Sequence, residues 1–525
     1  MNVFIVLFFI HVLFFLSIFE IYFKSPIIDN IPVSVKAQGI QLAKRVVIFF
    51  ADGVRSEKFY EVTDRNSSHS PYIRTLLANN EACGGIAHTQ VPTETRPGAI
   101  AMLAGFYEDP SAIFKGWQDN PVEFDHIFNQ SEFSVAFGSP DVLKMFTRGF
   151  KQNVKERMHF EFYDENEQQF NNEAQLNYWV GNKTIQYLRD NKDSAILNQD
   201  KVIFLLHFLG PDTAGHNFKP HSKEYGDNIE TVDGIVKAMV HTLSSYYNHD
   251  NKTAFIYSSD HGMTDWGSHG DGSDHETETP FVAWGAGVGC TPYPPSSPSS
   301  FLPSSSGHLD IAQVDMVSLV STILGIPIPV HSVGELPLQY LSLDTSQQAR
   351  VMHSNAIQIH NAYRTLRSQR RESIARCLFT PFHKLDEQEE AVQLGRIELG
   401  FKLGDHQMVK FQHTEIRNSE TYRKIRNAGR VAETRAAQKK TKYKQIVEDY
   451  LFVPFSVETL GPWSESTKKF TKDIGRRLIE RSGDGRAAAF LTQRISLAIQ
   501  RGNSAAAMGT LPMGSSLDEM FYILS

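Results

Sequence analysis

From Lys44 to about Leu343 the chain alternates short β-branched and aromatic runs with longer stretches of helical character. Three runs stand out: Arg45–Phe50 (RVVIFF), Lys201–Phe208 (KVIFLLHF) and Thr253–Ser258 (TAFIYS). They are apolar at nearly every position, not at alternate ones, which is the pattern of strands buried on both faces. Strands of that kind separated by helices predict an α/β domain built on a parallel sheet with covering helices. Thr291–Ser306 is rich in proline and serine and reads as a surface loop.

Outside this region the pattern changes at both ends. Val3 to Phe23 is almost continuously apolar, interrupted by His11, Ser17 and Glu20, close to the ~20 residues that cross a bilayer. It lacks a basic leader and a small-residue cleavage site, so residues 1–23 are expected to be a retained transmembrane signal anchor, with 24–43 a spacer and 44–345 the α/β domain. Four N-x-S/T sequons, at Asn66, Asn129, Asn182 and Asn251, point to a lumenal domain. Residues 346–525 are expected to be a helical, divergent region: Gln347–Arg376 is polar with a helical pattern, Arg430–Lys444 is a basic run, and Gly483–Ser525 has little periodicity.

Composition narrows the function less than the pattern does. The 525 residues are 41% hydrophobic and 21% charged, ordinary for a globular protein long enough for two or more domains. A net charge of −7 argues against a nucleic-acid partner. Three cysteines, Cys83, Cys290 and Cys377, allow one disulfide at most and have no metal-ligand spacing.

The candidate chemistry lies where the strong runs end. The first runs into Asp52-Gly53, the second into Gly210-Pro211-Asp212 with His216 four residues on, the third into Asp260-His261-Gly262. In an open parallel sheet these ends gather at one edge, where ligands bind. Three carboxylates brought together there repel one another unless cations sit among them. His269, on the glycine-rich turn Gly267-Ser268-His269-Gly270, completes a donor set of oxygen and imidazole without thiolate, which suits zinc or manganese. A fourth element, Val91-Pro92-Thr93-Glu94-Thr95-Arg96-Pro97-Gly98, places a threonine as the N-cap of a helix, where the dipole favours an anion such as phosphate. Metal coordination would activate that hydroxyl as a nucleophile.

The order Asp, Thr before a helix, D-x-x-x-H, D-H-G-M and a later His resembles the alkaline phosphatase superfamily, nearest its nucleotide pyrophosphatase/phosphodiesterase and GPI ethanolamine phosphate transferase branches. The words PTETRPG (92–98), AGFYED (104–109), KGW (115–117), NPVEFD (120–125) and SDHGMTDWGSHG (259–270) are similar to the second branch, over about residues 1–345. The resemblance implies a doubly wound, mostly parallel α/β sheet with helices on both faces, preceded by one transmembrane helix. It implies two divalent metals, most simply zinc with manganese as the other choice, one held by Asp212, His216 and His269 and the other by Asp52, Asp260 and His261. It implies Thr95 as nucleophile, with Thr93 the second candidate. The implied reaction moves phosphoethanolamine from phosphatidylethanolamine to the first mannose of a GPI precursor lipid, at the lumenal side of the endoplasmic reticulum membrane. Members of that branch continue into a multi-spanning C-terminal region, whereas this sequence diverges after about residue 380.

Three other readings compete. A sulfatase needs a C-x-P-x-R type motif, and Cys83 is followed by Gly84-Gly85 instead. A lumenal metal-dependent phosphodiesterase would keep every ligand and differ only in the acceptor. A non-catalytic membrane-tethered module would be expected to have lost ligands, and all seven positions are filled.

Overall fold

The structure, a computed structural model, describes residues 39–62, 68–108, 124–147, 156–164, 172–192, 194–290, 309–373, 465–482 and 486–495, with a few isolated positions before residue 33. The chain separates into two compact units, Met1–Asn418 and Ser419–Ser525. The expected anchor at Val3–Phe23, the serine- and proline-rich loop and the basic run at 430–444 lie outside the described residues. Among those described, no helix is long and apolar enough to cross a membrane.

The first unit is built on one eight-stranded sheet: β1 (Arg45–Ala51), β2 (Ala82–His88), β3 (Phe133–Gly138), β4 (Met158–Phe162), β5 (Val202–Phe208), β6 (Thr253–Ser258), β7 (Glu278–Gly285) and β8 (Ile311–Ala312). Their order across the sheet is β4-β3-β5-β1-β6-β7-β2-β8. All neighbours pair parallel except those of β7, which runs antiparallel to both β6 and β2. The sheet is therefore mixed, with one reversed strand in an otherwise parallel array.

The three strong runs of the sequence are the three central neighbours β5, β1 and β6. Every residue of β1 and β5 is buried, which explains why neither shows an alternating pattern: helices cover both faces. Val47, Phe49 and Ala51 join a core with residues of α1 (Pro71–Ala78), α3 (Glu173–Asp190) and α5 (Lys223–Tyr246). On the opposite face α6 (Asp315–Leu324) meets β1, and α2 (Thr95–Ala104) packs against α6. A further helix, α4 (Gly210–Phe218), follows β5 directly. The polar stretch expected to be helical is α7 (Thr345–Ser373). It is part of this unit: Asn355 accepts the Leu336 amide and donates to the Gly334 carbonyl, and Gln358 donates to the Ser332 carbonyl.

Cys83 of β2 and Cys290, just past β7, form a disulfide across 207 positions, the single bridge the cysteine count allows. The sequons fare unequally. Asn251 and Asn182 are exposed, but Asn182 lies within α3 and the Asn129 side chain is engaged in a capping box with His126. In the second unit, α8 (Glu465–Ser482) is helical, as are residues 487–495, a stretch whose small side chains conceal the periodicity.

Candidate metal centre

The register of the central strands decides where the acidic groups fall. Ala51 of β1 sits opposite Phe208 of β5, and Phe50 opposite Ser258 of β6. The residues that follow therefore emerge side by side at the carboxyl edge of the sheet, on either side of β1, where strand order departs in both directions. Asp52 and Asp260 are fully buried there and Asp212 nearly so. Gly53 follows Asp52 with φ of +68°, and a Cβ on it would lie 2.7 Å from Asp212 Oδ1. Only glycine lets the two strand ends approach this closely.

Two clusters of potential ligand atoms form: Asp212, His216 and His269, and Asp52, Asp260 and His261. Asp212 and His216 stand one turn apart on the same face of α4, with His216 Nε2 3.4 Å from Asp212 Oδ2. His261 Nε2 lies 3.4 Å from Asp260 Oδ2 and 3.5 Å from Asp52 Oδ1. The clusters adjoin, because the His261 and His269 rings stack with centroids 4.0 Å apart.

The proton positions on the three imidazoles carry the chemical argument. Nδ1 of His216 faces the Gly267 carbonyl at 2.8 Å, Nδ1 of His261 the Gly262 carbonyl at 2.7 Å, and Nδ1 of His269 the Thr93 carbonyl at 2.8 Å. A carbonyl only accepts, so each ring carries its proton on Nδ1 and turns a bare Nε2 inward. Those lone pairs meet further acceptors: His216 Nε2 and His269 Nε2 are 3.1 Å apart, and Asp212 Oδ1 and Asp260 Oδ2 are buried without a hydrogen-bond partner. Acceptors facing acceptors in a buried site is a costly arrangement that bound cations reverse. The donor set thus fits divalent metal ions.

The ionisation behaviour follows from the same crowding. Burial, reinforced by Asp260 and Asp212, holds Asp52 well above the usual carboxylate range. Burial raises Asp260 as well, against the pull of His261. Burial also pushes Asp212 up, but His216, His261 and His269 outweigh it and leave the group below its ordinary value. His216 is raised by its contact with Asp212, whereas burial pushes His269 down to about 4.

The two threonines separate cleanly. Thr95 is the first residue of α2, and the N-cap is Glu94, so the expectation of a capping threonine is corrected by one position. Its hydroxyl, spared from capping, lies 3.4 Å from Asp52 Oδ1 and 3.3 Å from His261 Nε2. The Thr93 hydroxyl is buried and committed elsewhere, donating to Glu276 Oε1 at 2.9 Å and accepting the Gly270 amide at 2.8 Å. Thr93 holds the His269 loop; Thr95 faces the clusters.

Over these residues the chain can be set beside known proteins. A family model described as type I phosphodiesterase / nucleotide pyrophosphatase matches residues 46–275. The protein named GPI ethanolamine phosphate transferase 1 in Mus musculus is 40% identical over 393 residues, which are 73% of this chain and 42% of the relative. Its namesake in Schizosaccharomyces pombe is 37% identical, over 71% of this chain and 41% of its own length. Over the matched residues the chain is similar to the GPI ethanolamine phosphate transferase 1 proteins. It spans about two fifths of the length of these relatives. Among solved structures, an alkaline phosphatase superfamily protein from Vibrio parahaemolyticus matches 62% of this chain and 76% of its own, at 13% identity and a TM-score of 0.39, too loose a likeness to carry a residue-level argument.

Several supports of this site were not foreseen from the sequence. His207 of β5 is fully buried; its Nδ1 accepts the Ser139 amide at 3.2 Å, so Nε2 donates to Asp52 Oδ2 at 3.1 Å. Burial pushes His207 down to about 3, which keeps it neutral. Arg55, also buried, binds the Met263 carbonyl and, at 2.8 Å, Asp265, which pins the loop carrying His269. Three exposed apolar residues neighbour the site residues in sequence: Val91 two residues before Thr93, Phe218 two after His216, and Trp266 beside Gly267 with 81% of its surface exposed.

Proposed function

We propose that the chain transfers phosphoethanolamine from phosphatidylethanolamine to the first mannose of a GPI precursor, through a covalent intermediate on Thr95, at the lumenal face of the endoplasmic reticulum membrane. The observation that carries this reading is the pair of adjoining carboxylate–imidazole clusters, one of which lies against the Thr95 hydroxyl. Kinship with the GPI ethanolamine phosphate transferase 1 proteins supplies the headgroup and the acceptor. The disulfide favours an oxidising compartment, and the exposed Val91, Phe218 and Trp266 suit a lipid-borne substrate.

One divalent ion would be held by Asp212, His216 and His269, the other by Asp52, Asp260 and His261; oxygen and imidazole donors favour zinc or manganese. Such ions, when bound, neutralise phosphoryl oxygens and ease deprotonation of a coordinated hydroxyl. The chain's own groups do the rest. Asp52 Oδ1 orients the Thr95 hydroxyl, and His207 fixes Asp52. The N-terminus of α2 turns its positive dipole end toward the phosphoryl group. Thr95 Oγ1 bonds to phosphorus as the bond to the diacylglycerol oxygen breaks, and that oxygen leaves with a proton in place of the one Thr95 gives up. A mannose hydroxyl then attacks the threonyl phosphoester, and the Thr95 oxygen leaves and regains a proton.

The match to the type I phosphodiesterase model favours a second reading, in which water is the acceptor; the first half-reaction is unchanged. Metal content by mass spectrometry, wild type beside Asp260→Ala, tests the site common to both. About two zinc or manganese ions per chain, depleted in the variant, is the expected result; a metal-free folded wild type would sink both readings.

A further inference from the structure

We infer that Glu94 is a specificity-determining residue of this site, binding a primary ammonium carried two carbons from the phosphoryl group being transferred. The inference rests on the proposed phosphoryl-transfer reading and names the feature of the substrate that the site selects.

Glu94 immediately precedes Thr95 and occupies the N-cap of α2, yet its side chain makes no capping hydrogen bond. Its carboxylate turns toward the site instead. Oε2 lies 3.5 Å from His269 Nδ1, a nitrogen whose proton already goes to the Thr93 carbonyl at 2.8 Å. Nδ1 is on the opposite edge of the imidazole from Nε2, the atom that joins Asp212 and His216 in a cluster. Glu94 therefore sits beside the donor sets and outside both of them. Gly270, with φ of +123°, frames the other oxygen: a Cβ there would lie 3.1 Å from Glu94 Oε1.

Among the described residues no lysine or arginine pairs with Glu94, and the adjacent Arg96 is held by both oxygens of Glu108 at 2.8 and 2.9 Å. The Glu94 side chain remains 33% exposed. A bare carboxylate next to a phosphate position repels a plain phosphoester. It becomes favourable when the ligand carries its own N–H donors and positive charge at short reach, because charge-assisted hydrogen bonds are the strong ones. A primary ammonium offers three donors; a quaternary ammonium offers none.

The test is calorimetric binding to the metal-loaded full-length chain, comparing O-phosphoethanolamine with n-propyl phosphate, which has the same shape without the ammonium. Wild type is expected to prefer O-phosphoethanolamine by about tenfold or more, and Glu94→Gln to bring the ratio close to one while n-propyl phosphate binding persists. The ratio is an internal control, because damage to the metals or the fold weakens both ligands alike. A variant that keeps the preference, a variant that loses both ligands, or a wild type that binds the two equally would each overturn the role of Glu94. A wild type that binds neither would overturn the phosphoryl-transfer reading itself.

Discussion

Gly98 is the point where the helix of the proposed nucleophile rests on Asp260, and replacing it with alanine should separate catalysis from folding. A Cβ at position 98 would lie 2.6 Å from Asp260 Cβ and 2.9 Å from its carbonyl oxygen. Carbon atoms in good contact stand about 3.5–4.0 Å apart, so the first turn of α2 and Asp260 must part by about an ångström. Overpacking of this kind costs about 1–3 kcal/mol, and the better helix propensity of alanine returns up to about 1 kcal/mol. The fold should therefore survive with a modest fall in Tm. Thr95 lies on the displaced turn, 3.4 Å from Asp52 and 3.3 Å from His261. A misplacement of about 1 Å in a reacting group costs on the order of 10²-fold in rate. The assay is turnover of a phosphodiester by Gly98→Ala and wild type, with Tm and metal content measured on the same preparations. Activity within about threefold of wild type would refute the claim that this glycine sets the spacing of Thr95 from Asp52 and His261.

His207→Phe removes the donor to Asp52 Oδ2 and should lower metal affinity by about 10–100-fold, read by titration against a competing chelator; unchanged affinity would count against its supporting role. Trp266→Ala should raise KM for a vesicle-embedded lipid diester more than for a soluble one, and equal effects would detach Trp266 from lipid binding. Asp233 accepts the Tyr72 and Ile73 amides at 2.7 and 3.0 Å, and burial raises it from 3.8 to about 6. A carboxyl whose folded pKa exceeds its unfolded one binds a proton on folding, so its contribution is complete below about pH 4. It declines by about 1.4 kcal/mol per pH unit up to about pH 6. Denaturant titrations across that window should show the decline in wild type and a flatter profile in Asp233→Asn; parallel profiles would refute the assignment.

The three central strands were legible because β1, β5 and β6 are buried on both faces, and each run is followed within four residues by an acidic residue that opens the site. The edges were not. β2 reads ACGGIAH and β8 has two residues, too little apolar bulk to register as strands, and the reversal of β7 depends on pairing partners distant in sequence. Helix α2 hid its period, since every residue from Pro97 to Ala104 is buried and no polar face marks the turn. His207 was invisible for a related reason: inside KVIFLLHF it looks like one more core position, and only the register across from Phe50 brings it to Asp52. The candidate ligand residues could be named from their motif words, whereas Glu94 acquires its proposed role only once the His269 loop folds back over α2.

The most direct test of the central claim is the covalent step. The full-length, metal-loaded chain would be incubated with phosphatidylethanolamine, quenched in acid, digested and mapped by tandem mass spectrometry. A phosphoethanolamine adduct on Thr95, absent from Thr95→Ala and retained in Thr93→Val, is the outcome this account expects. An adduct on Thr93, or steady turnover by Thr95→Ala, would contradict it.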